Sequence, residues 1–248
     1  MSVTNTATFN LDLTEIVEEA YERCGSELRT GYDLRTARRS MNLLFADWAN
    51  RGINLWTVEQ GQIVLQQGVS TYDLPVDTVD LIEHVVRTNS GQQNTQADLT
   101  ITRISVSTYA TIPNKLQQAR PIQVWVNRQS GATYTAPGPD GTSAITGVDA
   151  PKIVVWPTPD GSQTYTFVYW RLRRIHDAGN GVNTFDIPFR MLPCLTAGLS
   201  YYLSLKVPGA MERTQLLKQQ YDEAWEMAAT EDRDKSPIRF VPRRMFIT

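Results

Sequence analysis

The feature that most limits how this chain folds is a change of hydrophobic period along it. Apolar residues recur with a helical period near both ends, and they alternate or run together in the middle. Near the start, Leu13, Ile16, Val17, Ala20, Tyr21 and Cys24 share one helical face. Asp12 is the expected N-cap, Glu15 its capping-box partner and Gly25 the stop. A second helix is expected after Asp33 as cap, with Leu34, Ala37, Met41, Leu44, Phe45 and Trp48 as its stripe and Gly52 as its end. Its arginines, Arg35, Arg38, Arg39 and Arg51, read as a solvated face.

Past Leu55 the helical period gives way to β-branched and aromatic runs punctuated by Gly, Pro and Asp. Strands are expected at residues 55–59, 62–66, 81–88, 122–127, 152–156 and 164–172, with a short helix around residues 107–110. The last of these strands is apolar in both alternating sets, which implies cover on both faces. Residues 130–150 are rich in Gly and Pro and poor in bulky apolar groups, so they read as a long, mobile loop.

Helical period returns after Ile187. Leu192, Leu195, Leu199, Tyr202 and Leu203 form one face, and Ala197 and Gly198 admit a close neighbour. Tyr201 and Leu205 extend the apolar surface, so this helix reads as buried nearly all round. Pro208-Gly209 breaks it. A last helix carries Leu217, Tyr221, Ala224, Trp225 and Ala228.

The expected fold is therefore α+β. The terminal helices, 1–54 and 186–230, come together as a bundle, and an antiparallel β-sandwich or small barrel, 55–185, is inserted between them. Residues 231–248 form an extended C-terminal arm. In it Ile238, Phe240, Val241, Met245, Phe246 and Ile247 are apolar, Arg239, Arg243 and Arg244 are positive, and no acid follows Asp234. Pro237 and Pro242 disfavour a continuous helix. The arm reads as a frayed terminus, as a segment docked on its own core, or as one lying on another chain. Fully extended, residues 236–248 span about 45 Å, enough to leave their own subunit. Apolar burial alone does not offset the entropy of ordering such a segment, so an acidic or carbonyl-rich docking surface is expected.

Charge and cysteine content narrow the function. The formal net charge is −2, from 24 Lys and Arg against 26 Asp and Glu. That balance argues against a protein whose main work is gripping duplex nucleic acid. The cations are 19 Arg and only 5 Lys, and Arg is the cation favoured in protein interfaces. Cys24 and Cys194 read as ordinary buried thiols. Neither a signal peptide nor a membrane-spanning run is expected, which points to a soluble chain made in a reducing cytoplasm.

Catalytic motifs are missing: no phosphate-binding loop, dinucleotide fingerprint, zinc-protease helix or nucleophile elbow is present. His84 and His176 read as structural, and with the two cysteines they make no metal spacing, so no cofactor and no metal are expected. Asp73, Asp77 and Asp80 cluster; paired acids suit glycoside hydrolysis, but turn chemistry explains them more simply. Trp125, Trp156 and Trp170 could recognise sugar on a sheet, or could be core. Tyr169-Trp170-Arg171 reads as a core strand whose end enters a subunit interface, in preference to a stacking platform for single-stranded nucleic acid.

Three short motifs, in order, carry a resemblance. Tyr72-Asp73-Leu74-Pro75-Val76-Asp77 before an apolar strand resembles a turn of phage head-to-tail adaptor proteins. Val155-Trp156-Pro157-Thr158-Pro159-Asp160 before the aromatic strand is the second, and Phe185-Asp186-Ile187-Pro188 opening a helix is the third. The layout is similar to the tubular tail protein A family of short-tailed phages. The resemblance implies a virion structural protein and no enzyme, made in the host cytoplasm. It implies a homo-oligomeric ring, usually of twelve copies, between portal protein and tail nozzle, with duplex DNA passing through the lumen without specific binding and no membrane partner. It assigns Ile238, Arg239, Phe240, Val241, Pro242, Arg243, Arg244, Met245, Phe246 and Ile247 to a portal-binding arm. Tyr134, Pro137, Asp140 and Ile145 become candidates for a tail-side loop. The alternatives are another neck or tail subunit (tail completion or nozzle), a carbohydrate-binding module or a carbohydrate-active enzyme.

Overall fold

The computed structural model of the chain describes residues 9–29, 31–52, 55–128, 131–134, 145–179 and 185–233, with backbone pairing only for 131–134 and 145–149. It is a mixed α+β structure with two compact units. One comprises residues 1–55 and 175–248, the other residues 56–174.

In the first unit, helix α1 (Leu13–Cys24) buries the six apolar residues of the predicted stripe. Its capping box is formed: the Glu15 amide donates to Asp12 Oδ1 at 2.8 Å, and the Asp12 amide donates to Glu15 Oε2 at 3.0 Å. Gly25 closes it with φ of 77°, a conformation that glycine adopts without a Cβ penalty. Helix α2 (Gly31–Asn50) begins two residues before Asp33, the expected cap. Asp33 instead lies in the first turn, where its carboxylate accepts from the Arg29 amide at 3.4 Å. Ala37, Met41, Leu44, Phe45 and Trp48 of its stripe are buried, whereas Leu34 is only half-buried.

After the 3-10 turn Phe189–Met191, helix α4 (Leu192–Ser204) packs against α1, α2 and α5 (Thr214–Glu231). Ten of its residues are buried, including Thr196, Ser200 and Ser204. Thr196 and Ser200 satisfy their hydroxyls on carbonyls one turn back, at 3.1 and 2.7 Å. Gly198 makes the close approach that its size suggested. A Cβ there would lie 2.9 Å from both Leu44 Cδ2 and Tyr221 Cε2. Leu205 departs from the expectation of all-round burial and is exposed. Trp48 is fully buried and donates its indole N–H to the Tyr221 hydroxyl at 3.0 Å, which satisfies the one polar atom of the largest core side chain.

The second unit holds two four-stranded sheets. One has the order β1 (Val58–Leu65), β10 (Tyr165–Arg173), β3 (Thr78–Thr88), β4 (Ala97–Thr100). The other has the order β2 (Thr71–Asp73), β9 (Lys152–Trp156), β6 (Gln123–Asn127), β5 (Thr102–Ile104). Pairing is antiparallel except between β5 and β6. A shared core draws Val86, Tyr165, Phe167 and Tyr169 from the first sheet, and Val124, Val126, Ile153 and Val155 from the second. Helix α3 (Val106–Ala110) is capped by Ser105, whose hydroxyl accepts from the Thr108 amide.

Two expectations need correction here. Residues 55–59 and 62–66 are not two strands: Leu55–Thr57 is a 3-10 turn, and β1 runs unbroken from Val58 through Gly61. Gly61 is no turn. It faces Tyr169 across the ladder, and a Cβ would fall 2.4 Å from the phenol Cζ and hydroxyl oxygen, so the glycine makes room for a buried ring. Nor is 130–150 a loop throughout. Strands β7 (Gly131–Tyr134) and β8 (Ile145–Asp149) pair as an antiparallel hairpin with Tyr134 opposite Ile145.

Candidate functional site

The polar chemistry of the second unit converges on Arg171. Its strand, β10, is central, with five successive buried residues from Tyr165 to Tyr169. Register shifts against β3 after Trp170 and after Leu172 mark bulges, which re-aim side chains. The Arg171 guanidinium is nearly buried. It donates to Glu59 Oε2 at 2.6 and 3.1 Å, to Asp77 Oδ1 at 2.6 Å and to Thr78 Oγ1 at 2.9 Å. Burial opposes its charge, but Asp77 and Glu59 outweigh it and raise the guanidinium pKa above its ordinary value. The same contact lowers the Asp77 pKa: hydrogen bonds from Arg171 favour the carboxylate against partial burial.

The aspartate cluster is thereby divided. Asp77 belongs to Arg171. Asp80 receives Arg103 at 2.8 Å and Arg128 at 3.2 Å, and it also accepts from its own strand through the Leu81 amide. Asp73 lies 3.9 Å from Lys152. Each carboxylate has its own cation, an arrangement suited to tying strands together. Tyr72, in the same motif, closes the β1–β2 connection: its hydroxyl accepts from the Gln66 amide at 2.8 Å and donates to the Val69 carbonyl at 2.9 Å.

The tryptophans offered as sugar platforms or core are neither fully exposed nor fully buried. Trp125 stacks on Tyr109 with centroids 5.5 Å apart, and Trp156 donates to the Asn114 carbonyl at 2.9 Å. His84 stacks on Phe167 at 5.8 Å, and burial followed by the nearby Arg103 charge pushes its pKa down. His176 sits 3.7 Å from Asp186. Both cysteines are buried; burial raises Cys24 to about 11 and Cys194 to about 12, which keeps both as thiols. Among the described residues no cluster of potential metal ligands occurs, and no helix is long and apolar enough to cross a membrane.

The helical unit offers surface shape instead. A groove of about 400 Å³ lies along α1 and the start of α4, with Phe9, Leu11, Phe189 and Pro193 as its apolar walls. Phe9 and Phe189 are 66% and 67% exposed, and their rings meet edge-on at 6.2 Å. Glu15 and Glu19 line the same groove. A second groove of about 600 Å³ shares Arg23 and Pro193 with the first and adds Arg213, Leu216 and Leu217. Sequence periodicity missed both, because it locates buried stripes and says nothing of exposed aromatics brought together from separate segments.

Where α5 ends, Asp232 is buried, although it sits in the charged run Glu231-Asp232-Arg233-Asp234-Lys235. Its carboxylate pairs with Arg190 and accepts from the Leu55 amide at 2.9 Å. The predicted arm residues, Ile238, Arg239, Phe240, Val241, Pro242, Arg243, Arg244, Met245, Phe246 and Ile247, lie outside the described residues, as do Pro137 and Asp140 of the predicted tail-side loop. Tyr134 and Ile145 are placed by backbone, paired with each other in the hairpin.

A protein-family model described as SU10 adaptor protein matches residues 12–241. The match covers most of both units and runs past the end of α5 to residue 241. No curated protein matches the chain.

Proposed function

The chain belongs to the SU10 adaptor family, a phage adaptor family, and from that premise we propose that it is a virion structural protein of the neck. In this reading it forms a ring, of twelve copies, that joins the portal protein to the tail nozzle and continues the DNA channel. A layout like that of tubular tail protein A of short-tailed phages is part of the same reading. The observation that carries it is the extent of the family match, which takes in both compact units and the first arm residues.

Charge and composition support the assignment. A chain of net charge −2 lets duplex DNA slide where a basic lumen would hold it. Nineteen arginines against five lysines suit the heterologous contacts of a ring, in which one face of each subunit meets a different face of the next. The cations that hold Asp73, Asp77 and Asp80 give these acids structural work, which favours the adaptor over a carbohydrate-active enzyme. The arm, Ile238 to Ile247, is assigned to the portal, and the hairpin around Tyr134 and Ile145, with Pro137 and Asp140 between them, to the tail side.

The test is a chain cut before Asp234. It is expected to fold and to lose binding to the purified portal ring. Unchanged binding removes the arm from the portal interface. Electron microscopy of the particle gives the copy number, and a position away from the portal–nozzle junction would replace this reading with another tail subunit.

A further inference from the structure

The arm carries apolar residues that need cover in a chain that has not yet met its portal, and the helical unit presents an uncovered groove of matching chemistry. We infer that before assembly the C-terminal segment 236–248 docks in cis on the groove walled by Phe9, Leu11, Phe189 and Pro193. This rests on the reading of that segment as the portal-binding arm and names where it waits.

Four observations converge. The first is tethering: Asp232 is fastened to Arg190, the residue next to Phe189 on the groove wall. The five steps of chain from Arg233 to Ile238 reach at most about 18 Å, so the segment starts within reach of the groove. A segment held this near acts at an effective concentration of order millimolar, and a weak contact is then enough. The second is apolarity: two phenylalanines at about two-thirds exposure form a wall that a single chain leaves wet.

The third is charge. Helix α1 carries Glu15, Glu18, Glu19 and Glu22 against one cation, Arg23, and Glu15 and Glu19 face the groove. The segment brings Arg239, Arg243 and Arg244 and no acid. Glu19 already pairs with Arg23 at 2.8 Å, but its side chain is 46% exposed and has lone pairs free for a second donor. The neighbouring groove carries Arg213 as well as Arg23 and would repel the same arginines.

The fourth is exclusion of the other nearby segment. Residues 1–8, Met-Ser-Val-Thr-Asn-Thr-Ala-Thr, precede Phe9 in the sequence, but they contain no cationic and no aromatic side chain. They match neither the walls nor the glutamates.

The experiment compares hydrogen exchange of the full chain, without portal, with that of a chain ending at Arg233. Docking in cis predicts that truncation speeds exchange at residues 9–15 and 189–193 by about tenfold or more, while β10 is unchanged. A synthetic peptide of residues 236–248 added to the truncated chain is expected to restore the slow exchange. A second variant, Phe189→Lys, removes an exposed apolar wall, adds a charge that repels the arginines of the segment, and leaves the arm intact. It should free the groove in the full chain, and the variant should still bind the portal ring. Equal exchange in full and truncated chains overturns the inference. So does protection that grows with protein concentration, which would make a second copy the occupant. Because exchange is read without portal, loss of protection and loss of portal binding are separate results, and either reading can fail alone.

Discussion

The helical unit and the β unit were built by different kinds of information. In α1 every apolar residue predicted to be buried is buried, and the cap and stop residues do what their types suggest. In the β unit the edge strand β1 carries the signal of two strands, and β2, β4, β5 and the hairpin strands carry no signal that the sequence analysis detects. A helix satisfies its backbone within one segment, so its signals lie within a few residues of each other. A strand satisfies its backbone on partners far along the chain, so a short edge strand such as Thr71–Asp73 carries almost no local signal.

The comparison can be broken most forcefully at Trp48. Replacing it with Ala removes the largest fully buried side chain and leaves the Tyr221 hydroxyl only its 3.4 Å bond to Asp47, at an expected cost of about 3–5 kcal/mol. Urea unfolding followed by helix circular dichroism should show the loss. A cost no greater than that of a surface change would mean that the helical core is not where periodicity puts it.

Next is Gly61→Val, expected to cost about 1–3 kcal/mol because the new side chain meets the Tyr169 ring. In a Tyr169→Leu background the same change should cost less, and a thermal-unfolding double-mutant cycle measures the coupling. Additive effects would show that the glycine serves some purpose other than room for the ring.

Within the helical unit, Asp12→Ala should cost about 1 kcal/mol, the usual worth of an N-cap. Asp33→Ala should cost less, since Asp33 lies inside the first turn of α2 and does not cap it. Equal losses in denaturant unfolding would restore Asp33 as a cap.

The smallest effect concerns pH. Asp77 has a folded pKa below the ordinary value of 3.8 because Arg171 donates to it. A depressed pKa adds stability that is complete above 3.8 and disappears as pH falls through the folded value. The side chain is 37% exposed, so solvent screening holds the contribution to about 1 kcal/mol or less. Asp77→Asn should therefore trail the parent chain at neutral pH and converge with it in acid. A gap that persists once pH has fallen well below the folded value would assign the loss to packing and not to charge.

The candidate site divides along the same line. That residues 236–248 are apolar, cationic and free of acids is a matter of residue types, and it was legible at once. The groove was not. Phe9 and Phe189 are 180 residues apart, and only folding sets their rings 6.2 Å from each other. The aspartates show the opposite error: their proximity in sequence suggested one site, and the sheets distribute them among Arg171, Arg103, Arg128 and Lys152.

By itself the sequence determined where helices give way to strands, which faces of the helices are buried, and how α1 is capped and stopped. These depend on side-chain chemistry acting over one or two turns of chain. Tertiary structure alone decided that β1 passes through Gly61, that Arg171 gathers two acids, and that Phe9 and Phe189 meet in an exposed aromatic groove. Those outcomes need residues more than ninety positions apart to meet, and no local pattern records such a meeting.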